Sequence, residues 1–236
     1  MTSGMDRLKL LSKDVLMDAE LKFSHPNSRI FFTGVPLSGK SSISPQVAAR
    51  IEGCTLQNMD ILRLTAQIAE SQKPEGERNP FVFLGSCDAY SAVGDGTFTP
   101  DSLVRGFNNY AEAVSSQLNW ILPSLEAQGA RDVAFEGVQL TPNIIKRHLN
   151  DSTRLIIVTS TENQLRENAV KMFGNEADLL ERYSPEKLLL LQDEILKQAA
   201  EFPKDKLLIV NNTDTISKAA SSAMEFLFES GLVEPK

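Results

Sequence analysis

The most constraining feature of the chain is a glycine-rich motif that begins at Gly34. Residues 34–41 match the pattern G-x-x-x-x-G-K-[ST], and the hydrophobic run Arg29–Thr33 leads directly into them. Glycines let such a loop curl so that successive backbone N–H groups face phosphate oxygens, and the helix that follows presents its positive end to them. The pattern predicts a phosphate-binding loop between a strand and a helix; a glycine-rich turn without a ligand is the alternative.

Each position of such a loop has an expected role. Lys40 would reach the β- and γ-phosphates of a nucleotide, and the Ser41 hydroxyl would ligate Mg²⁺. The sequence therefore predicts ATP and Mg²⁺ as cofactors. The other predicted nucleotide-binding positions run through the loop into the first turn of the helix: Gly34, Val35, Pro36, Leu37, Ser38, Gly39 and Ser42.

Hydrophobic runs alternate with helical patterns along the rest of the chain. Strands are predicted over residues 54–59, 131–136, 155–159 and 207–210, the last two as buried strands. Helices are predicted over residues 61–70, 99–129, 142–149, 161–173, 184–200 and 214–228, and Pro123 is expected to kink or split the longest of them. This alternation predicts a three-layer α/β fold of the P-loop kinase type, with helices on both faces of a parallel sheet and a helical lid.

The N-terminal segment is predicted to be a helix docked on the core. Residues 6–23 place apolar side chains at helical spacing and also carry four acids, which fits a transit peptide poorly. No linker, low-complexity tract or repeat divides the chain after it. We therefore expect an N-terminal helical extension over residues 1–28 and one domain over residues 29–236. The same helix is a candidate contact for a homodimer.

Charge and cysteine content argue against several classes of function. The 236 residues include 24 basic and 31 acidic ones, a formal charge of −7, which disfavours a broad nucleic-acid-binding face. Cys54 and Cys87 lack the spacing of a metal knuckle or a redox pair, so reduced thiols in the cytoplasm are expected. No run approaches the roughly 18 apolar residues that a membrane-spanning helix needs, so no membrane association is expected.

Two carboxylates follow predicted strands, and ligands of a parallel sheet bind beyond the carboxyl ends of its strands. Asp60 could orient the hydroxyl of an acceptor and take its proton, or it could cap the helix that follows. Glu136 could help to hold Mg²⁺ or contact the acceptor, or it could be an ordinary turn residue. The other polar residues expected at this edge are Thr33, Thr159 and Asn211.

Phosphoryl transfer spreads negative charge over oxygen atoms, so cations must converge on the reacting group. Arg166 and Lys171 lie on the helix predicted over residues 161–173, where a lid would close over the phosphates. Arg105 precedes a glycine inside a helix, which indicates that something packs closely there. Each of these charges could instead be solvated. The remaining candidate cations are Arg63 and Arg182.

Several segments, in order along the chain, resemble archaeal-type 2-phosphoglycerate kinases. Besides the phosphate loop they comprise residues 56–63 (LQNMDILR), 86–90 (SCDAY), 105–107 (RGF) and 136–142 (EGVQLTP), and the last string is the most restrictive. The family pattern usually has a histidine where this chain has Gln139, and a basic residue or histidine where it has Gln164.

The resemblance implies a fold similar to small nucleoside and nucleotide kinases. It also implies transfer of the ATP γ-phosphate to the 3-hydroxyl of 2-phosphoglycerate, an acceptor whose phosphate and carboxylate suit guanidinium contacts. The predicted substrate-binding residues are Asp60, Arg63, Arg105 and Gln139, and the predicted catalytic residues are Lys40, Asp60, Glu136 and Arg166. Competing hypotheses are a kinase of a nucleoside, nucleotide sugar or polynucleotide 5′ end, and an ATP-binding regulator.

Overall fold

The computed structural model describes residues 20–129, 132–213 and 215–236. The strands in chain order are β1 (Leu21–Phe23), β2 (Arg29–Thr33), β3 (Ile51–Glu52), β4 (Thr55–Asn58), β5 (Val133–Glu136), β6 (Thr153–Thr159), β7 (Leu207–Asn211) and β8 (Val233–Pro235). Five of them form a parallel sheet in the order β4-β5-β2-β6-β7. The predicted parallel sheet is therefore confirmed.

Helices connect the strands and cover the sheet. They are α1 (Lys40–Ala48), α2 (Met59–Ser71), α3 (Pro80–Phe83), α4 (Pro100–Ser115), α5 (Leu118–Ala127), α6 (Pro142–Ile145), α7 (Glu162–Phe173), α8 (Ala177–Arg182), α9 (Pro185–Ala199) and α10 (Ile216–Glu229). Short 3-10 helices cover Glu75–Glu77, Ala89–Ala92, Lys146–His148 and Lys204–Lys206. None of the helices within the described ranges is long and apolar enough to cross a membrane.

Alternate residues of the central strands pack into two separate cores. On β2, Phe31 belongs to the core beneath α4, α5 and α9, whereas Ile30 and Phe32 belong to the core beneath α1 and α10. Phe31 also stacks on Phe135 of β5, with ring centroids 5.3 Å apart. Because both faces of the sheet are covered, these strands are apolar on both sides, as parallel sheets require.

The strand register places several polar residues at one edge of the sheet. Asn58 at the end of β4 pairs with Glu136 at the end of β5, and Thr159 of β6 pairs with Asn211 of β7. The loop that contains the glycine-rich motif leaves β2 at the same edge. The fold therefore brings the motif and the predicted carboxylates to one rim of the molecule.

The predicted N-terminal helix is wrong at its C-terminal end. Leu21–Phe23 is a strand, which pairs with β3 and β8 in a second, three-stranded sheet. The buried Leu21 side chain joins the core under α1 and α10. A strand of three residues carries too little periodicity to be told from a helix end, so long-range pairing decides its conformation. The rest of the predicted helix, residues 6–19, lies outside the described residues.

Two further predictions need correction. The long helix breaks between α4 and α5, at residues 116–117, and Pro123 lies inside α5 without ending it. The Ser124 hydroxyl donates a hydrogen bond to the Trp120 carbonyl, 2.7 Å away, within this helix. In addition, β7 was predicted to be buried, but it is an edge strand of the main sheet, and Ile209 is 48% exposed.

Candidate functional site

The loop between β2 and α1 has a backbone that few side chains adopt. Leu37 and Gly39 have φ angles of 67° and 92°. A β-carbon on Gly39 would lie 2.2 Å from the side-chain nitrogen of Asn212, so glycine is favoured there both by conformation and by space. Helix α1 begins directly after it, at Lys40, and its first amides have no acceptors within the helix. Such a loop and helix terminus form a phosphate-binding geometry.

Three polar side chains that the sequence analysis did not predict hold this loop in place. The Ser38 carbonyl accepts hydrogen bonds from Asn212 Nδ2 at 2.9 Å and from Ser160 Oγ at 3.1 Å. The Leu37 carbonyl accepts one from Asn168 Nδ2 at 2.9 Å. The only signal in the sequence is that Ser160 and Asn212 directly follow strands, and the analysis had placed the neighbouring Asn211 at this edge.

The inner side of the loop has an unsatisfied polar atom. The Ser38 hydroxyl oxygen is fully buried and has no hydrogen-bond partner within the described residues. A buried hydroxyl without a partner is unfavourable, so such atoms in native proteins usually meet a water, an ion or a ligand. A phosphate oxygen would accept its proton, and this loop therefore fits the phosphates of a nucleotide.

Lys40, Ser41 and Glu136 form a compact polar group beside the loop. Ser41 Oγ donates a hydrogen bond to Glu136 Oε1 at 2.9 Å, and Lys40 Nζ lies 3.8 Å from the same oxygen. Glu136 is 5% and Lys40 9% exposed. Burial lowers the pKa of Lys40, while the negative charges of Glu136 and Asp60 oppose that shift. Phosphate oxygens would add further negative charge next to this buried ammonium group.

The same group fits a magnesium ion that is shared with a nucleotide. No cluster of three or more histidine, cysteine or acidic side chains in the described part of the chain could hold a metal by itself. Mg²⁺ bound beside a nucleotide does not need such a cluster, because it keeps several waters and takes the remaining ligands from phosphates and one or two protein oxygens. The Ser41 hydroxyl and the Glu136 carboxylate supply two neighbouring oxygens of the required kind.

Asp60 is the second residue of α2, the helix that directly follows β4. It occupies the first turn of α2 and is exposed, and its charge acts on both Lys40 and Tyr110. The alternative that Asp60 caps this helix is wrong, because the Asn58 side chain accepts the hydrogen bond from the Asp60 N–H at 2.7 Å. The Asp60 carboxylate is therefore not used by the cap.

The predicted cations do not all meet at the loop. Lys171 lines a cleft of about 520 Å³ beside it, together with residues of α1 and the start of α10. Arg166 instead pairs with Glu162 at 3.0 Å and lines a separate cleft against α9. Arg105 pairs with Asp101 of its own helix at 3.7 Å, and its side chain is 65% exposed. Helical spacing alone could not tell which face of a helix turns towards the loop.

Arg63 lies near Asp60 on α2. Its guanidinium carbon is 5.9 Å from the ring centroid of Tyr110, and its Nε donates to the Val82 carbonyl at 3.5 Å. Desolvation raises the pKa of Tyr110 despite the positive charge of Arg63. The sequence analysis did not include Tyr110, which belongs to no motif. The charges of both Arg63 and Asp60 act on this side chain.

Gln139, which the sequence analysis assigned to the substrate, lies in the interior of the protein. Its side chain is fully buried, and neither its amide oxygen nor its nitrogen has a partner within the described residues. It lies next to Gly137, where an added β-carbon would be 2.9 Å from the Gln139 oxygen. Gln164, by contrast, caps α7 through its hydrogen bond with Thr161 and lines the cleft beside the loop. The sequence string of residues 136–142 indicated that Gln139 is near the site, but it could not indicate that the Gln139 side chain is buried.

A solved structure of another protein is similar to this chain in fold. TT1252 from Thermus thermophilus is similar over 87% of this chain and 98% of its own, with 15% identity and a TM-score of 0.50. At this identity the likeness concerns the fold alone. The chain has an α/β fold in which helices flank a five-stranded parallel sheet.

Two other solved structures have lower TM-scores. A sugar kinase from Janibacter sp. HTCC2649 has 14% identity and a TM-score of 0.47, over 85% of this chain and 94% of its own. A thymidylate kinase from Candida albicans has 12% identity and a TM-score of 0.47, over 89% and 95%. No family model matches the chain, and no curated protein sequence matches it.

Proposed function

We propose that the protein is an ATP- and Mg²⁺-dependent phosphotransferase that phosphorylates a hydroxyl group of a small anionic metabolite. The observation that carries this proposal is the arrangement at the phosphate loop. Lys40 and Ser41 meet the Glu136 carboxylate beside a loop whose buried Ser38 hydroxyl lacks a partner. A carboxylate for an acceptor, Asp60, lies within electrostatic range of the same lysine.

The loop residues would bind and orient the nucleotide. The amides that begin α1 and the Ser38 hydroxyl would donate to phosphate oxygens, and Lys40 would neutralise charge that develops on the transferring group. Ser41 and Glu136 would hold Mg²⁺, which when bound neutralises charge on the phosphates. Lys171 faces the cleft on the nucleotide side and would add a second cation there.

Asp60 would act on the acceptor. It would accept the proton of the acceptor hydroxyl as that oxygen forms a bond to the γ-phosphorus, while the bond from this phosphorus to the bridging oxygen breaks and ADP leaves. Arg63 would bind an anionic group of the acceptor. Arg166 and Arg105 each pair with an acid of their own helix, so we assign them no direct role.

2-Phosphoglycerate is the acceptor that the sequence resemblance implies. Its phosphate and carboxylate would suit the cations near Asp60, and its 3-hydroxyl would receive the γ-phosphate. Gln139, which the resemblance places near this acceptor, is buried, and neither polar atom of its amide has a partner within the described residues. We further propose that the protein works in the cytoplasm and that the N-terminal residues contribute to a homodimer.

Phosphorus NMR tests the proposed reaction directly. The purified protein is incubated with Mg²⁺, ATP and 2-phosphoglycerate, and we expect signals of 2,3-bisphosphoglycerate to appear. Asp60→Ala should slow transfer by about 10²–10⁴-fold, the typical contribution of a general base. Asp101→Ala is the matched control, because Asp101 also lies in the first turn of a helix and pairs with Arg105 of that helix.

The outcomes separate the competing functions. Equal transfer rates in the parent protein and the Asp60→Ala variant would contradict the role of Asp60. Transfer to another hydroxyl compound but not to 2-phosphoglycerate would support the proposed phosphotransferase activity and contradict 2-phosphoglycerate as its acceptor. ATP binding without transfer to any acceptor would favour a nucleotide-responsive regulator.

A further inference from the structure

A second polar cluster lies on the acceptor side of the site and has no role in the proposed chemistry. At its centre is Asp88, from the segment that joins α3 to α4. Arg182, the last residue of α8, places its Nε 2.6 Å from Asp88 Oδ2. The Asp88 side chain is 22% and the Arg182 side chain 49% exposed. One carboxylate thus joins the short helix α8 to the body of the domain.

The charges of two more cations act on the same carboxylate, and one of them, Lys187, lines the same cleft. Burial raises the pKa of Asp88, and the charges that act against this shift are those of Arg182, Lys187 and Arg63. Lys187 lies 5.5 Å from the ring centroid of Tyr90 and donates to the Glu181 carbonyl at 3.3 Å. Arg182 alone of the three is within ion-pair distance of Asp88, and neither Lys187 nor Arg63 forms an ion pair within the described ranges. The charges of three cations from α2, α8 and α9 therefore act on one carboxylate.

The charges of the cluster act on the same tyrosines as those of the residues assigned to the acceptor. The charges of Arg63 and Asp60 both act on Tyr110, and those of Arg63, Arg182 and Asp88 all act on Tyr183. None of these residues lines the cleft beside the phosphate loop. Asp88, Arg182 and Lys187 instead line an open cleft of about 400 Å³, whose outer wall is α8 with Asp178 and Glu181.

We propose that Arg63, Arg182 and Lys187 form a binding site for the anionic group of the acceptor, and that Asp88 occupies this site in place of that group when no acceptor is bound. The inference rests on the proposed phosphotransfer and names the substrate class of the same site: a small hydroxyl compound that carries a phosphate or a carboxylate. Guanidinium and ammonium groups bind either anion.

The exchange is physically reasonable because the existing ion pair is partly solvated. A half-exposed pair of side chains contributes little free energy, since water and salt screen it and two long side chains must be ordered. A phosphate or carboxylate group with free oxygens can contact all three cations, and charge-assisted hydrogen bonds to such groups are the stronger kind. The acceptor would thereby displace Asp88 and join α8, α9 and α2 around itself.

Calorimetric titration of four compounds with one carbon skeleton tests the site. The protein is first saturated with ADP and Mg²⁺ so that the phosphate loop is filled, and then titrated with 2-phosphoglycerate, glycerate, glycerol 2-phosphate or glycerol. We expect 2-phosphoglycerate to bind and glycerol not to bind measurably. Binding of glycerate or of glycerol 2-phosphate identifies which anion the cluster takes.

Variants distinguish two possible roles of Asp88: it occupies the anion site when no acceptor is bound, or it holds Arg182 in position. Asp88→Asn should tighten binding of 2-phosphoglycerate by about fivefold, because a competing charge is removed. Arg182→Gln should weaken it by about tenfold or more. Lys187→Gln, which breaks no ion pair, should weaken it as well. Glu112→Gln and Arg147→Gln are the matched controls, because that exposed pair, 2.5 Å apart, lies outside the cluster and should leave binding unchanged.

Two results would overturn the inference. If Asp88→Asn weakened binding as Arg182→Gln does, Asp88 would position the arginine and not substitute for a ligand. If no anionic compound bound to the parent protein or to Asp88→Asn, the cluster would not be an anion site, although ADP binding and transfer to a neutral acceptor could still uphold the phosphotransferase. Conversely, the expected pattern of affinities without any phosphotransfer would uphold the anion site and contradict the proposed reaction.

Discussion

At the scale of single residues, Glu136 shows how one buried carboxylate can serve two neighbours. It accepts from Ser41 and lies within ion-pair distance of Lys40 while being 5% exposed. The sequence analysis chose this position because a carboxylate directly after a buried strand is a recurring way to hold Mg²⁺ beside a phosphate loop. Strand pairing places Glu136 opposite Phe32, which lies one residue before the end of β2.

Replacing this carboxylate should uncouple nucleotide binding from magnesium. Glu136→Gln keeps the shape but removes the charge, so we expect the gain in ADP affinity on adding Mg²⁺ to fall by about tenfold, as expected for loss of a metal-orienting group. Calorimetric titration with and without Mg²⁺ measures this difference. Glu201→Gln, an exposed carboxylate that pairs with Lys146, is the control. An unchanged magnesium effect in Glu136→Gln would contradict the assignment.

The two cysteines should react slowly with alkylating agents. Burial raises the pKa of Cys54 and that of Cys87 to about 12, and the thiolate is the reactive form. We expect mass spectrometry to show little modification by iodoacetamide at pH 8 in the folded protein and two modified sites after denaturation. Rapid labelling of Cys87 in the folded protein would indicate that its surroundings open to solvent.

Prediction at the residue level could not include burial or the direction in which a helix face turns. Gln139 was assigned to the substrate, and Arg105 and Arg166 were expected near the acceptor or the phosphates, because each lies in a suggestive string or helix. A sequence does not reveal which side of a helix faces the site or whether a side chain is enclosed. Asn212 was missed by one position for a related reason, since strand ends are predicted only to within a few residues.

At the scale of helices and strands, local signals predicted the helix starts well. Thr99 and Thr161 both form capping boxes, with Ser102 and Gln164 as their partners. These contacts join residues three apart, so they can be seen in the sequence alone. The short strands β1, β3 and β8 could not be seen in this way, because they are stabilised by pairing between distant parts of the chain.

Close packing of α4 should make Gly106 intolerant of a side chain. A β-carbon there would lie 2.4 Å from backbone atoms of Ala89 and Tyr90. Gly106→Ala should lower the free energy of unfolding by about 1–3 kcal/mol, because backbone cannot yield to overpacking and the clash exceeds the helix preference of alanine. Urea denaturation measures the change.

The control for this variant is another glycine without close neighbours. At Gly76 an added β-carbon would meet nothing within 4 Å. Gly76→Ala should therefore leave the midpoint of urea denaturation almost unchanged. If both variants had the same small effect, the tight contact between α4 and the segment Ala89–Ala92 would not exist.

At the scale of the whole molecule, two cores on opposite faces of the sheet hold the site at its carboxyl edge. One core lies under α4, α5 and α9, and the other under α1 and α10. The phosphate loop is held by residues that follow β6 and β7 and by one residue of α7. The alternation of strands and helices predicted this layering from the sequence, but not which distant side chains would meet at the rim.

The buried weak acids should make the folded protein sensitive to alkaline pH. Burial raises the pKa of Cys54 and Cys87 from 9.0 to about 12, and that of Tyr110 also rises. Above pH 9 the unfolded chain therefore loses protons that the folded chain retains, so stability falls as pH rises towards 12. Each group contributes a slope of up to about 1.4 kcal/mol per pH unit. The lowered pKa of Lys40 acts in the opposite direction.

Urea denaturation between pH 8 and pH 11 measures this dependence, and the Cys54→Ala variant provides the comparison. Removing one of the buried thiols should make the decline with pH less steep. A free energy of unfolding that stayed constant to pH 11 would show that these groups ionise as readily in the folded chain as in the unfolded one.

Calorimetric titration with ADP and Mg²⁺ tests the central claim most directly, because nucleotide binding by the loop precedes every other step. We expect saturable binding of one nucleotide per chain, and a loss of about tenfold or more in affinity in Lys40→Ala, which removes a charge-assisted contact to phosphate. Lys146→Ala, an exposed lysine paired with Glu201, should bind as the parent protein does. Absence of binding in the parent protein, or equal affinity in Lys40→Ala, would contradict the account.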